Sequence, residues 1–195
     1  MKPQEPQLLR FVHEMDTPLV QRFEYPAIPG VQQGLYGALT NGQRITHHLH
    51  KPVLEGIVAL SGALMKDGLL DPCIREIVIV RTGYLTGSAY EVVQHRSLAV
   101  RLGVAESTLD ALAHVTPLGI SDREIATVNL VDELVNTSRP SDESVSHALQ
   151  YFSVPELFEI IAVTGNWWTL SRILCTSGVA IDDDRIGNRP LPCAQ

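Results

Sequence analysis

The stretch Glu76 to Gly103, EIVIVRTGYLTGSAYEVVQHRSLAVRLG, decides the fold. Four consecutive β-branched residues, Ile77, Val78, Ile79 and Val80, favour a strand when taken alone. The neighbouring residues argue otherwise. Leu69 and Ile74 extend the apolar run to helical length, and Asp71-Pro72 reads as an N-cap followed by proline at the first helical position. No other run offers itself as a partner strand, and an unpaired strand leaves its backbone groups unsatisfied. The stretch is therefore read as two consecutive helices, joined by the small-residue turn at Thr86 to Ser88 and closed by Gly103.

Outward from this block the helical signals continue. Pro52 to Lys66 is apolar at helical spacing, with Gly68 suited to stopping it. Glu106 to His114 makes a short helix, and the capping box Ser121-Asp-Arg-Glu124 opens another through about Asn136. Ser141 caps a segment to about Phe152, and Pro155 starts a long apolar helix ending near Gly178. The expected fold is all-α, with six or seven helices. Five prolines before residue 30 predict an extended arm over residues 1–30 that wraps over a surface. A single helical domain over 31–181 follows, from about Val31, then a tail over 182–195 in which Asp182-Asp183-Asp184 reads as a solvated turn.

Composition narrows the function classes. The 195 residues carry a formal charge of -7 with no basic stripe, which argues against nucleic-acid partners. No apolar stretch is long and clean enough to span a bilayer, and the polar, proline-containing N-terminus does not read as a signal peptide, so a cytoplasmic protein is expected. Cys73, Cys175 and Cys193 are odd in number and far apart, which disfavours a disulfide framework or a thiolate zinc site.

The chemistry concentrates in the deciding stretch. Ser88, Glu91 and His95 are spaced i, i+3, i+7 and line one helix face, with Glu91 and His95 within reach of each other. The turn at Thr86 to Ser88 allows Glu76 to face the same space. A carboxylate raises an imidazole pKa while burial lowers it, so His95 is expected to exchange protons near neutral pH. On spacing alone a Glu–His pair is more often a surface helix pair.

With these residues in view, LDPCIREIVIVRTGYLTGSAYEVVQHRSLAVRLGV resembles the signature of the carboxymuconolactone decarboxylase family, which includes the alkylhydroperoxidase-D-like proteins. The preceding LTNGQRITHHLHKPVLEGIVALSGALMKDG is similar to that family's lead-in helices, so the likeness covers about Leu39 to Ala113. The redox branch carries two cysteines where this chain has Ser88 and Glu91, and the resemblance therefore implies no peroxidase chemistry here. It implies an all-helical homo-oligomer, a trimer or hexamer, with no metal and no organic cofactor. It also implies decarboxylation of a lactone acid through a dienolate, with His95 as proton carrier, Glu91 orienting and charging it, and Glu76 as second acid/base or anchor. An isomerase, dehydratase or cyclase would use the same groups, and a non-catalytic binding protein of the same fold is the rival reading.

Further residues are expected to bind a small-molecule substrate. Tyr84 and Tyr90 flank the turn and could donate to an oxyanion, and Ser88 ends the turn on the face of Glu91 and His95; Arg81 could hold a substrate carboxylate or pair with Glu76. His47, His48 and His50 tempt a metal reading, but His47 and His48 point apart on a helix; plain packing is the leading reading, with a cavity-lining role for His48 or His50 the better functional alternative. Of Trp167 and Trp168, Trp168 is the candidate for substrate stacking, against a core or interface role.

Overall fold

A computed structural model describes residues 7–12, 15, 20–28 and 39–182. Among them are eight α-helices and no strand: α1 (Asn41–Thr46), α2 (Lys51–Lys66), α3 (Pro72–Thr86), α4 (Ala89–Leu102), α5 (Glu106–Ala111), α6 (Asp122–Asn136), α7 (Asp142–Ala148) and α8 (Val154–Ser177). The all-α reading holds. The expected helical start near Val31 and Cys193 lie outside the described residues.

The centre is α3. Asp71 caps it, its carboxylate accepting from the amides of Cys73 and Ile74, and Gly87 ends it in the left-handed region at φ 73°. Every residue from Ile74 to Thr86 is buried. A helix buried on every side lies inside a layer of others, and α3 packs against α4, α6 and α8, with its charged residues Arg75, Glu76 and Arg81 paired inside. This explains the β-branched run: Ile77 to Val80 are chosen for burial on every side, at a small cost in helix propensity.

Caps account for most boundaries. Capping boxes at Ser121/Glu124 and Ser153/Glu156 open α6 and α8, and Gly103 and Gly178 close α4 and α8 with positive φ. Two helices are shorter than expected. α5 stops at Ala111 because His114 pairs with Leu8 in an isolated antiparallel bridge, and α7 stops at Ala148 before a turn that buries Phe152. The short α1 carries its own capping box, Thr40/Gln43, and had no separate place in the expected helix count.

The described stretches of the N-terminal arm lie on the domain itself. Leu9 N–H donates to Ala113 O, and Arg22 N–H donates to Ser177 O at the end of α8. Asp182 is buried, not a solvated turn residue. Its carboxylate accepts from Asn41 N–H (2.7 Å), from Gln94 Nε2 (3.0 Å) and from the Tyr90 hydroxyl, tying the end of the domain to α1 and α4.

Candidate active site

α3 and α4 run back against each other through the Thr86–Ser88 turn, and this places Glu76 opposite His95. Glu76 is fully buried, and its Oε2 lies 2.7 Å from His95 Nδ1. Its other oxygen accepts from Arg75 Nε (3.1 Å) and Nη2 (3.0 Å), while Arg75 Nη1 donates to Met65 O. On the other side of the imidazole, Nε2 stands 3.3 Å from Glu91 Oε2 and 2.9 Å from Trp167 Nε1. The indole packs edge-on against the imidazole, with ring centroids 5.5 Å apart.

These contacts define two states of one nitrogen. An indole N–H can only donate, so the Trp167 bond needs an unprotonated Nε2. A proton on Nε2 can instead be donated to Glu91. Burial pushes the His95 pKa down, but the hydrogen bonds and charges of Glu76 and Glu91 outweigh it and lift the value to about 9. Charge balance points the same way: Arg75 offsets one carboxylate, and an imidazolium offsets the other. The Trp167 donor works against that rise, because it stabilises the neutral ring.

His95, Glu91, Tyr90 and Trp167 line a cavity of about 390 Å³. Glu76 and Arg75 stand behind it. Leu54, Ile57, Val58, Met65, Leu170 and Leu174 make its apolar walls, and Lys66 stands among its lining residues. The volume and the apolar walls with a few convergent polar groups suit a small organic ligand. Ser61, on α2, also lines it and accepts from Asn166 Nδ2 at 3.0 Å, which leaves its own hydroxyl proton for a ligand.

Several expected site residues stand elsewhere. Arg81 is fully buried away from the cavity, held by both oxygens of Asp132 (2.6 and 2.5 Å) and donating to Leu112 O and His114 O. Arg75, not Arg81, is the partner of Glu76. Ser88 is buried at the N-cap of α4, outside the cavity lining. His48 lines a separate cleft of about 450 Å³ with Phe23 and Arg172, its Nε2 against Glu24 O at 2.8 Å. Trp168 is 42% exposed on another face of α8, and its neighbour Trp167 makes the contact with His95.

Tyr90 lines the cavity, but its hydroxyl proton goes to Asp182 while Gly42 N–H donates to its oxygen. Burial and then the Asp182 bond hold that phenol well above its ordinary pKa. Trp167, Arg75 and Ser61 were not singled out for this site by sequence. The adjacency of Arg75 to Glu76 was visible, but helical rotation decides which of two neighbours turns inward. Among the described residues, no group of three or more His, Cys, Asp or Glu side chains is arranged to hold a metal ion, and no helix is long and apolar enough to cross a membrane.

Residues 51–133 match the model of the carboxymuconolactone decarboxylase family, less than half of the chain but all of the Glu76–His95 block. No curated protein matches. Among solved structures, an uncharacterized peroxidase-related protein from Ralstonia eutropha, an alkylhydroperoxidase AhpD core, aligns at TM-score 0.72 and 20% identity, covering 88% of this chain and 98% of that one. An uncharacterized peroxidase-related protein from Silicibacter sp. aligns at TM-score 0.66 and 15% identity, over 97% of this chain and 98% of the other. A protein of unknown function from Agrobacterium tumefaciens aligns at 0.64 and 17%, over 71% and 96%. Identities this low speak for the fold alone. Over residues 51–133 the chain is similar to the carboxymuconolactone decarboxylase family, and it carries the all-helical alkylhydroperoxidase-D-like fold.

Proposed function

We propose that the cavity at His95 is the active site of a cofactor-free proton-transfer enzyme for a small carbonyl compound, with decarboxylation of a lactone acid as the favoured reaction. The observation that carries this reading is the imidazole held between Glu76 and Glu91, its Nε2 edge on an apolar cavity. In the resting state Nε2 carries a proton. As the bond from the lactone carbon to its carboxylate breaks, the electron pair passes into the lactone carbonyl as a dienolate and CO₂ leaves. Apolar walls favour this step, because the delocalised anion loses less by desolvation than the localised carboxylate does. Ser61, which lines the cavity with its hydroxyl proton uncommitted to Asn166, would donate to the developing oxyanion. His95 then gives its Nε2 proton to carbon, and the neutral nitrogen accepts from Trp167 N–H. Glu91 returns a proton from solvent. Isomerisation or dehydration next to a carbonyl would draw on the same groups.

The thiols support this reading over a peroxidase. Cys73 and Cys175 sit on different helices outside the cavity lining, with thiols aimed at Leu102 O and Gly87 O. Burial pushes both thiol pKa values up, which disfavours the thiolate.

NMR in D₂O with γ-carboxy-lactones and related enolisable acids tests the proposal. Wild type should release CO₂ or incorporate deuterium, and His95→Gln should lose roughly 10²–10⁴-fold in rate. Equal turnover by the two proteins would sink it.

A further inference from the structure

Helix α8 carries a stripe that the fold leaves uncovered among the described residues. Val154, Phe158, Ile161, Gly165 and Trp168 recur at alternating spacings of four and three residues, the seam pattern of paired helices. Val154 is 58% exposed, Phe158 66%, Ile161 36% and Trp168 42%; no charged residue falls in the row between Val154 and Trp168, and Arg172, the next position of the row, lies over the Trp168 ring at 5.1 Å and bounds the stripe there. A side chain at Gly165 would meet nothing within 4 Å. Around that glycine lies a hollow of about 320 Å³, walled by Leu134, Val135, Ile161, Thr164 and Trp168.

We propose that this stripe is a contact between two copies of the chain, with their α8 helices packed antiparallel about a two-fold axis at Ile161. The stripe is complementary to itself in that register. Phe158 of one copy meets Gly165 of the other and enters its hollow, Val154 meets Trp168, and Ile161 meets Ile161. Each layer pairs a large side chain with a smaller one or two of middle size, the arrangement that fills a seam evenly. An isologous contact requires each surface to hold both knob and hole, and this helix has both on one face. Leu149 (44% exposed) and Tyr151 (37%) extend the apolar surface beyond Val154. At these exposures the six side chains present roughly 500 Å² per copy, about 1,000 Å² for the pair, which reaches the lower bound of a specific interface. The opposite face of α8 holds Trp167 against His95, so the contact would brace the helix that touches the candidate site.

A two-fold contact implies a dimer or an assembly with an even number of subunits, built from the 21.4 kDa chain. Sedimentation of the full chain should give an even multiple of that mass. Gly165→Leu fills the hollow, and it replaces an exposed helical glycine with a better helix former. Its mass should therefore fall to half the wild-type value while circular dichroism and thermal stability of the protomer are kept. Phe158→Asp, which removes the knob, should give the same halving. Ile161→Cys should form an intermolecular disulfide under mild oxidation that wild type does not, because that residue meets its own copy on the axis. A monomeric or trimeric wild type overturns the proposal. So does an assembly that survives both Gly165→Leu and Phe158→Asp, or one whose Ile161→Cys variant does not cross-link. The next apolar surface would then be α2, with Val53, Val58 and Leu60.

Discussion

His95 has a carboxylate within reach of each ring nitrogen, and an indole competing for one of them. Its pKa near 9 exceeds the ordinary 6.5, so the imidazolium is favoured in the folded protein. The stabilisation is fully present below about pH 6.5 and is lost as pH rises to about 9. It amounts to no more than roughly 3 kcal/mol. Glu76 and Arg75 from α3, Glu91 from α4 and Trp167 from α8 surround the ring, with Lys66 of α2 also lining the cavity. Trp167→Phe removes the donor that favours the neutral ring. The His95 pKa, followed by NMR of its ring protons, should rise by about half a unit to one unit, equivalent to one net hydrogen bond. A fall, or no change, would show that Nε2 does not accept from the indole. Sequence spacing was enough to pair Glu91 with His95, since i, i+4 is geometry any helix imposes. It did not choose Trp167 over Trp168, because adjacent residues sit about 100° apart on a helix and the rotation of α8 is set by packing.

At the scale of elements, the approach of α3 to α4 decides whether Glu76 and Glu91 share one imidazole. Gly83 permits that approach: a Cβ there would lie 2.8 Å from Val92 Cγ2 and 3.6 Å from Glu91 Cβ. Gly83→Ala gains helix propensity of about 1 kcal/mol but overpacks a tight contact, a cost of about 1–3 kcal/mol. The clash should win, because a valine methyl close to its own backbone has little freedom to move. Urea unfolding should show a net loss on the order of 1 kcal/mol, and proton-transfer activity should fall as Glu91 is displaced. Unchanged stability and rate would mean that α3 and α4 tolerate a wider spacing. The helix pair itself was legible in the sequence through Asp71-Pro72, Gly87 and Gly103, whose capping roles are local. Its closeness was not, because a glycine inside a helix does not name the neighbour it admits.

For the whole molecule, Arg81 acts as a central tie. It holds α3 to Asp132 of α6 and to the backbone after α5, where the N-terminal arm also docks through Leu8 and Leu9. Arg81→Met would leave a half-buried carboxylate and two carbonyls without their donor, costing about 3–5 kcal/mol. Turnover per folded molecule should stay near wild type, since no atom of Arg81 lines the cavity. Selective loss of substrate affinity at unchanged stability would restore Arg81 to a binding role.

Local chemistry determined much of this protein: all-helical architecture, most helix ends, and the Glu91–His95 pair all follow from caps, periodicity and residues close along the chain. Those features depend on interactions within a turn or two, which sequence spacing encodes. The tertiary structure alone decided that Trp167 closes the imidazole, that Arg75 balances Glu76, and that Arg81, Ser88, His48 and Trp168 stand outside the cavity. It also turned Asp182 from a surface acid into a buried clasp. Each of these choices depends on how α8, α6 and the chain ends pack around α3, and packing is a property of all the helices together.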